Sequence, residues 1–236
     1  PFADLTAPTP SLSSEAFRNM RTMVDFAHMS AQHTPMLVTS TVQEEGKSYV
    51  SSNLAVAYAQ MHPKALIIDG DLRRPSLHRK FQVSSERGLS NFLASGTDPE
   101  ELHGLLQDTV APNLKFLPCG PRPPNPSELL NTPRVAALLQ WAVTHFDRVI
   151  VDSPPIFPIS DTILWGRHVK HAIFVVRFGK TRIPMVRNAT KRLEVSGIKT
   201  LGVAVNAATQ GGLAYSHYGG YNYQYYRAYT EESVSS

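Results

Sequence analysis

The sequence predicts an α/β protein with a doubly wound, mainly parallel sheet that carries helices on both faces. Short, uniformly apolar runs alternate along the chain with segments of helical periodicity, and strands that are apolar throughout are typical of parallel sheets covered on both sides. Ligands of such sheets bind at the carboxyl ends of the strands, so the residues that follow each strand are the first candidates for function.

The composition indicates one globular domain. The chain has 236 residues, of which 42% are hydrophobic, enough for a buried core in one domain, alone or with a tail. No segment approaches the roughly 18 uncharged apolar residues of a membrane span, and no amino-terminal signal is visible. The single cysteine, Cys119, excludes a disulfide framework and a Cys-rich metal site and favours a reducing cytoplasm. The net charge of +4 is mild and scattered along the chain, and it is only a weak argument for a polyanionic or membrane-surface partner. We expect no nucleic-acid partner.

The amino-terminal segment divides into a linker and a helix. Residues 1–12 are rich in Pro, Thr and Ser and are predicted to form a linker. Ser13 and Ser14 can cap a helix that has Glu15 in its first turn, and this amphipathic helix is predicted over 14–31. Its apolar residues recur at helical spacing: Phe17, Met20, Met23, Val24 and Ala27.

Six strands and six further helices follow the first helix. The strands are predicted at 36–40, 65–69, 114–118, 147–152, 172–177 and 201–206. The helices are predicted at 47–61, 89–95, 98–107, 127–145, 160–168 and 182–196. Strands that alternate with helices in this way form the repeating unit of a doubly wound sheet. We therefore predict one domain over 13–210, and because the chain opens at Pro1 rather than at methionine, we expect it to be a piece of a longer protein.

A tyrosine-rich segment closes the chain. Seven of the nine tyrosines fall within fifteen residues: Tyr215, Tyr218, Tyr221, Tyr223, Tyr225, Tyr226 and Tyr229. No helical or strand period organises them, and four neighbouring glycines loosen the backbone. We predict a flexible tail over 211–236.

A phosphate-binding loop is predicted after the first strand. Gly46, Lys47 and Ser48 open a helix that follows a strand and a loop. In this arrangement backbone N–H groups cradle phosphates, the lysine contacts the β- and γ-phosphates, and the hydroxyl binds Mg²⁺. Thr41 replaces the first glycine of the motif, and Glu44 stands where related loops have glycine. The motif by itself therefore also fits a plain helix start with an exposed lysine.

Acidic residues end two further strands. Asp69 and Asp71 follow the second strand, where two carboxylates two residues apart point the same way and can share a metal shell. Asp152 closes the fourth strand, the position from which a Walker B acid holds Mg²⁺. Three strand ends thus offer one lysine, one hydroxyl and three carboxylates, which together predict a fold of the P-loop NTPase type.

These motifs together resemble the bacterial tyrosine kinases (BY-kinases) of capsule and exopolysaccharide export, the cytoplasmic partners of chain-length-determinant proteins. The resemblance covers nearly the full length. Residues 46–48 resemble the family's Walker A motif, ALIIDGDLRRP at 65–75 its Walker A′ motif, and VIVDSPP at 149–155 its Walker B motif. GPRPPNPSELL at 120–130 is similar to a Pro-rich family loop that general ATPases lack.

The resemblance implies ATP and Mg²⁺ as cofactors and assigns a role to each residue of the site. Lys47 would bind the β- and γ-phosphates, and Ser48 would bind Mg²⁺. Asp69 and Asp71 would serve the metal, with Asp69 as acceptor of the tyrosine proton, and Asp152 would complete the metal shell. Further nucleotide contacts fall to Gly46, Tyr49 and, toward adenine, Asn206.

The resemblance also implies an assembly. Glu15, Arg18 and Arg21 look like the family's oligomerisation motif on the first helix, although ordinary i, i+3 pairing explains the same spacing. The tail resembles the family's autophosphorylated tyrosine cluster. The implied protein is an autokinase that works as a ring-like homo-oligomer. A transmembrane chain-length-determinant or activator domain, fused or separate, would hold it at the cytoplasmic face of the inner (plasma) membrane.

Two other functions stay open. A cell-division or partition-type ATPase shares the fold and the acidic strand ends, but its signature lysine would stand at Val42, and such proteins lack a tyrosine tail. A nucleotide-binding scaffold with little or no catalysis is favoured by Glu44 and Glu45, two carboxylates in a loop that should accept phosphate.

Several conspicuous residues receive no functional role. Arg73 and Arg74 fit a phosphate contact and a solvated basic turn equally well. The nine histidines show no metal-ligand spacing and are expected to be ordinary. Trp141, Phe146 and Cys119 are expected to lie in the core.

Overall fold

The computed structural model of the chain describes residues 11–27 and 34–207. Three sequence predictions fall wholly or mostly on other residues: the linker at 1–12, the end of the first helix at 28–31, and the tyrosine-rich tail at 211–236. Residues 1–10, 28–31 and 211–236 lie outside the described residues, and the predictions for them stay predictions. The first helix begins at Leu12, the last residue of the predicted linker and two residues before the predicted start.

A seven-stranded sheet forms the centre of the fold. Its strands are β1 (Met36–Ser40), β2 (Ala65–Asp69), β3 (Gln107–Asp108), β4 (Leu114–Leu117), β5 (Arg148–Asp152), β6 (His171–Arg177) and β7 (Lys199–Asn206). They are ordered β3-β4-β2-β5-β1-β6-β7, and every neighbouring pair is parallel except β3 with β4. The predicted doubly wound, mainly parallel sheet is confirmed.

Helices cover both faces of this sheet. They are α1 (Leu12–Ala27), α2 (Lys47–Ala59), α3 (Leu77–Phe81), α4 (Leu89–Ser95), α5 (Pro126–Leu130), α6 (Arg134–His145), α7 (Asp161–Gly166) and α8 (Ile183–Val195), with a 3₁₀ helix at Pro99–Leu105. Among the residues that the structure describes, no helix combines the length and the apolar character that a membrane crossing requires.

Alternate side chains of the central strands enter two separate hydrophobic cores. On β2, Ala65 and Ile67 pack with residues of α1, α2 and α3, whereas Leu66 and Ile68 pack with residues of α4 to α8. Every residue of β2 is therefore buried, which is the physical reason for the uninterrupted apolar runs in the sequence.

Two of the predicted helices have a different form. The helix predicted at 127–145 is two helices, α5 and α6, because Pro133 has no N–H to donate and disfavours helical geometry at Thr132. The helix predicted at 98–107 is the 3₁₀ helix, which begins at Pro99 under an Asp98 cap and ends before β3. Apolar periodicity does not distinguish these short forms from an α-helix.

Two short elements were missed by the sequence prediction. The first, α3, is a single turn whose Leu77 and Phe81 are buried. The second, β3, has two residues that pair antiparallel with β4. Neither is long enough to show a hydrophobic period.

The first helix, α1, is fixed to α2 by polar contacts as well as by packing. Arg21 Nη1 donates to the backbone oxygen of Ala57 at 2.7 Å. The buried hydroxyl of Tyr58 donates to Asp25 Oδ1 at 3.0 Å, and the same oxygen lies 3.3 Å from Arg148 Nη2. A buried hydroxyl with a charged acceptor makes a stronger bond than a neutral pair, so the position of α1 on the domain is well defined.

Candidate active site

The site lies where three adjacent strands end. In the strand order β2-β5-β1, the carboxyl ends of these strands meet at one edge of the sheet. Asp69 on β2 is the register partner of Asp152 on β5, and Asp152 is in turn the partner of Val38 on β1. The topology therefore brings together the predicted phosphate loop and the predicted acidic residues.

Gly46 forms the sharp turn from the loop into α2. Its φ of 95° is left-handed, and the backbone N–H groups of Tyr49 and Val50 donate to its oxygen. A Cβ on Gly46 would lie 1.9 Å from Asn206 Nδ2. That amide donates to the backbone oxygen of Glu45 at 2.9 Å. Asn206, at the end of β7, thus holds the loop in place, and only glycine leaves room for its side chain at position 46.

Glu45 is a structural part of the loop. Its carboxylate is buried and accepts the backbone N–H groups of Thr41 at 2.7 Å and Val42 at 3.1 Å. The hydroxyl of Thr181 donates to the other carboxylate oxygen. Because these three donors bind the carboxylate of Glu45, we expect it not to oppose phosphate binding. Of the two carboxylates that favoured the scaffold function, Glu45 therefore no longer supports it.

Glu44 has a left-handed backbone conformation. Its φ is 65°, which costs a residue with a Cβ about 1–2 kcal/mol relative to glycine. The side chain is exposed, and Arg177 Nη1 donates to its backbone oxygen at 3.1 Å. Glu44 borders a cleft of about 340 Å³ that Lys47, Arg74 and Lys80 also line.

Lys47 is held between carboxylates. Its Nζ lies 2.9 Å from Asp71 Oδ2, 4.0 Å from Asp152 Oδ2 and 3.4 Å from Ser48 Oγ. Burial lowers the pKa of Lys47, but the charges of Asp152, Asp71 and Asp69 outweigh it, so the net pKa is raised. The lysine is therefore a permanent cation at the mouth of the phosphate loop.

Asp69 and Asp152 are fully buried acids. Burial and then the charge of Asp152 raise the pKa of Asp69 to about 8. The pKa of Asp152 is also raised by burial, against the opposing charge of Lys47. Burial disfavours the ionised form of both carboxyl groups, so an additional positive charge at this edge of the sheet would stabilise the two carboxylates.

The two carboxylates have different hydrogen-bond partners. Asp69 Oδ2 accepts the backbone N–H groups of Ser76 and Leu77 at 3.1 Å each and so fixes the turn into α3. Its Oδ1 has no partner among the described residues. Neither oxygen of Asp152 accepts a well-formed hydrogen bond from a described residue, although nearby hydroxyls, Ser48 foremost, partly lower its pKa.

These orphaned oxygens fit a hard cation. Buried carboxylate oxygens almost always have a donor or a metal, and Mg²⁺ prefers a few carboxylate and hydroxyl oxygens together with water and phosphate. Asp152, Asp69 and Asp71 present three carboxylates to one lysine. The residues present are thus suited to hold Mg²⁺, with Ser48 as the predicted hydroxyl ligand.

The arginines of the second strand end have separate partners. Arg73 forms a bidentate pair with the buried Asp161, with N–O distances of 2.7 and 3.1 Å, and also donates to Ser127 Oγ. Arg74 Nη1 donates to Gln43 Oε1 of the loop at 2.6 Å. Arg73 therefore ties α7 and α5 to the site, whereas Arg74 lies at the cleft.

Some residues that line or support the candidate site were not predicted from the sequence. Lys80 of α3 lies 5.4 Å from the ring centroid of Tyr49 and lines the cleft. Asp161 and the loop-holding role of Glu45 were also missed. Arg73 and Asp161 are far apart in the sequence, and no local sequence pattern predicts that they form a pair.

The comparison with known proteins decides the family. The tyrosine-protein kinase Etk of Escherichia coli K12 is 39% identical over 218 residues, which cover 92% of this chain and 30% of Etk. The putative tyrosine-protein kinase CapB of Staphylococcus aureus is 36% identical over 196 residues, which cover 83% of this chain and 85% of CapB. This chain belongs to the bacterial tyrosine-protein kinase family.

Solved structures agree with this assignment. The kinase domain of E. coli Etk superposes on this bacterial tyrosine kinase chain with a TM-score of 0.82 at 37% identity, over 91% of this chain and 83% of that one. The septum site-determining protein MinD of Pyrococcus horikoshii, complexed with Mg-ADP, has a TM-score of 0.62 at 19% identity over 75% and 72% of the two chains, which shows the shared P-loop NTPase fold alone. No protein-family model matches the chain. The chain spans about 30% of the length of Etk.

The raised pKa of Asp69 predicts a pH-dependent stability. An unfolded aspartate has a pKa of about 4, so between about pH 4 and pH 8 the folded state binds a proton that the unfolded state lacks, and stability falls as pH rises. Asp69→Asn should be more stable than the wild type at about pH 8, with a smaller gain at about pH 5. Urea denaturation without nucleotide or divalent cation measures this. Exposed Glu194→Gln is the control, and an equal effect of Asp69→Asn at both pH values contradicts the burial of a protonated carboxyl.

The fit between Gly46 and Asn206 predicts a coupled pair. Gly46→Ala should destabilise the fold through both φ and the clash with the Asn206 amide. The double variant with Asn206→Ala has no such clash. Its loss in the free energy of unfolding should therefore be smaller than the sum of the losses in the two single variants, by about 0.5–3 kcal/mol. Gly179→Ala is the control for φ alone, since Gly179 has φ 69° with nothing within 4 Å. Strict additivity in urea denaturation would show that the two residues do not touch.

Proposed function

We propose that this chain is an ATP- and Mg²⁺-dependent protein-tyrosine autokinase that phosphorylates its carboxyl-terminal tyrosine cluster between subunits and so regulates polysaccharide polymerisation and export. The observation that carries the proposal is the position of Lys47 between Asp71 and Asp152 at the mouth of a phosphate loop. Membership of the tyrosine-kinase family supports the reaction, and the orphaned carboxylate oxygens support the metal.

Phosphoryl transfer requires mainly positioning and charge neutralisation. Lys47 would bind the β- and γ-phosphates, with the backbone from Gly46 to Tyr49 around them. Ser48, Asp71 and Asp152 would hold Mg²⁺, and Asn206 would orient the loop beside the nucleotide. Bound Mg²⁺ supplies positive charge that neutralises phosphate oxygens and favours the ionised form of Asp69.

Asp69 is the proposed base for the tyrosine hydroxyl. Its Oδ2 is occupied by two backbone N–H groups, so Oδ1 is the free acceptor. The tyrosine O–H bond breaks as the proton passes to Oδ1, the phenol oxygen bonds to the γ-phosphorus, and the bond from that phosphorus to the bridging oxygen breaks to release ADP. Because a tyrosine has a pKa of about 10, an acid whose pKa is raised by burial is a better-matched base than an exposed aspartate.

The proposed substrate is the tyrosine cluster of a neighbouring subunit. Its members are Tyr215, Tyr218, Tyr221, Tyr223, Tyr225, Tyr226 and Tyr229. Each phosphate adds about −1.5 to −2 charges. Several phosphates would repel one another and the acidic site, which would release the tail and loosen the proposed ring.

The first helix supports a contact between subunits. Met23 and Phe26 of α1 are exposed by about two thirds (69% and 67%), and an apolar groove of about 840 Å³ separates α1 from β7. Glu15 and Arg18 form a half-buried pair with each other at 3.3 Å, whereas Arg21 Nη1 donates to the backbone oxygen of Ala57 in α2. Of the three predicted oligomerisation residues, Glu15 and Arg18 are thus the better placed for a partner.

The membrane location is proposed from the relatives. Etk is more than three times longer than the matched segment, so a further domain, fused or separate, would hold this kinase at the cytoplasmic face of the inner membrane and activate it. The partition-type ATPase keeps some support from the MinD-like fold. Against it, Val42 stands in place of the signature lysine, and the tyrosine cluster has no role there.

The kinase reaction is tested by incubating the purified chain with MgATP, followed by phosphotyrosine blotting and measurement of ADP release. Lys47→Met should lower phosphorylation at least about a hundredfold, because it removes the cation that faces the transferred phosphate. Lys64→Met, at an exposed lysine, is the control. Replacing all seven tail tyrosines with Phe should abolish the signal. ADP release without phosphotyrosine would favour the partition-type ATPase, and neither product would favour the scaffold.

Glu44 predicts a weakened nucleotide site. Glu44→Gly should tighten ATP binding about tenfold, equivalent to roughly 1.4 kcal/mol, because it removes both a carboxylate and a Cβ from the border of the phosphate cleft. Glu44→Gln, which keeps the Cβ, should give part of this gain. Calorimetry at matched Mg²⁺ measures both. An unchanged or weaker affinity in the glycine variant would show that Glu44 points away from the phosphates.

Arg18 provides the test of the subunit contact. Arg18→Ala, alone and with Arg21→Ala, should release smaller species in light scattering, since the guanidinium groups would meet acidic groups of a neighbour. Arg187→Ala on the exposed side of α8 is the matched control. An unchanged mass in the double variant would leave ordinary pairing within the helix as the sole role of Glu15 and Arg18.

A further inference from the structure

Two histidines and a glutamate converge at a surface remote from the phosphate loop. Glu100 and His103 lie on the 3₁₀ helix, and His145 is the last residue of α6. One ligand atom from each of the three lies within 4.8 Å of the others. The apolar residues of both elements pack in the core that α4 to α8 share, whereas α2 packs in the other core. The cluster is thus on the face of the sheet opposite to α2.

The surroundings of the cluster orient its ligands. His145 Nδ1 lies 2.9 Å from the backbone oxygen of Trp141, and since a carbonyl only accepts, Nδ1 carries the proton and Nε2 keeps its lone pair. The imidazole of His145 also stacks on Trp141 with ring centroids 4.7 Å apart, and His103 contacts the same indole edge-on at 4.9 Å. Fixing the second ring nitrogen by a carbonyl is a recurrent feature of metal-binding histidines.

We propose that Glu100, His103 and His145 form a binding site for Zn²⁺. Two imidazoles and one carboxylate are ligands that suit Zn²⁺ rather than Mg²⁺, which prefers oxygen alone. Zn²⁺ commonly has three protein ligands and one water. Because the side chains of His103 and Glu100 are 54% and 60% exposed, water can reach the fourth position.

The sequence held a partial signal for this site. Glu100 and His103 have the i, i+3 spacing of a Glu-x-x-His ligand pair, but the third ligand belongs to a different helix far along the chain. Spacing along the sequence did not indicate a metal site, because it does not show that His145 of α6 lies close to the 3₁₀ helix. His103 Nε2 and Glu100 Oε2 lie 3.3 Å apart, so these two ligand atoms already lie close together.

Bound Zn²⁺ would clip the 3₁₀ helix to the end of α6. A ligand that binds only the folded state stabilises it in proportion to the logarithm of its concentration above the dissociation constant. The site would therefore act on stability and leave the nucleotide site, at the carboxyl ends of β2, β5 and β1, unchanged.

The test is a Zn²⁺ titration of the tag-free full chain after removal of metals with a chelator. We expect one Zn²⁺ per chain at this site. His103→Ala and His145→Ala should each raise the dissociation constant for Zn²⁺ by about tenfold or more. Glu100→Gln, which disturbs packing least, should also weaken it. His168→Ala, at an exposed histidine outside the cluster, should have no effect.

A second readout locates the metal. Cu²⁺ at this site should quench the fluorescence of Trp141, which stacks on His145, and His145→Ala should abolish this component. Circular dichroism verifies that the variants fold, and unchanged autophosphorylation would confirm that the effect is not on the nucleotide site. Zn²⁺ binding that is equal in the wild type and in the His103→Ala/His145→Ala double variant would overturn the proposal, as would the absence of any bound Zn²⁺.

Discussion

The candidate site depends on the charge balance around Lys47. One ammonium group, on a side chain that is 12% exposed, contacts Asp71 directly and lies 4.0 Å from Asp152, and Asp69 lies at the same edge of the sheet. Burial, foremost, raises the pKa values of Asp69 and Asp152, and one cation does not fully offset the charges of three carboxylates. Burying charges that are not fully paired costs free energy. Binding of a further positive charge at the site would lower that cost.

The parallel sheet is what makes this concentration of charge attainable. The strands β2, β5 and β1 lie side by side, so their carboxyl ends deliver Asp69, Asp152 and the phosphate loop to one place. The loop is then fixed from two sides. Glu45 binds the backbone at its start, and Asn206 of β7 binds the backbone at its end. The phosphate loop is thus preorganised by strand ends that are far apart in sequence.

The sequence predicted those parts of the site that depend on strand ends. Lys47, Asp69, Asp71 and Asp152 each follow an apolar run, and a parallel sheet has only one edge at which they can meet. The sequence did not predict what depends on distant partners: the inward-turned carboxylate of Glu45, the pairing of Arg73 with Asp161, and the approach of His145 to His103. Local patterns of hydrophobicity carry no information on which side chains from remote segments will meet. Two other errors are local: Pro133 divides one predicted helix, and β3, with two residues, is too short to show a hydrophobic period.

The central claim is that the buried carboxylates require a divalent cation together with the nucleotide. The direct measurement is calorimetry of ADP binding with and without Mg²⁺, on the wild type and on Asp152→Asn. In the wild type Mg²⁺ should tighten ADP binding by about tenfold or more, which corresponds to roughly 1.4 kcal/mol. In Asp152→Asn this enhancement should largely disappear. An equal enhancement in both proteins, or none in the wild type, would contradict the account.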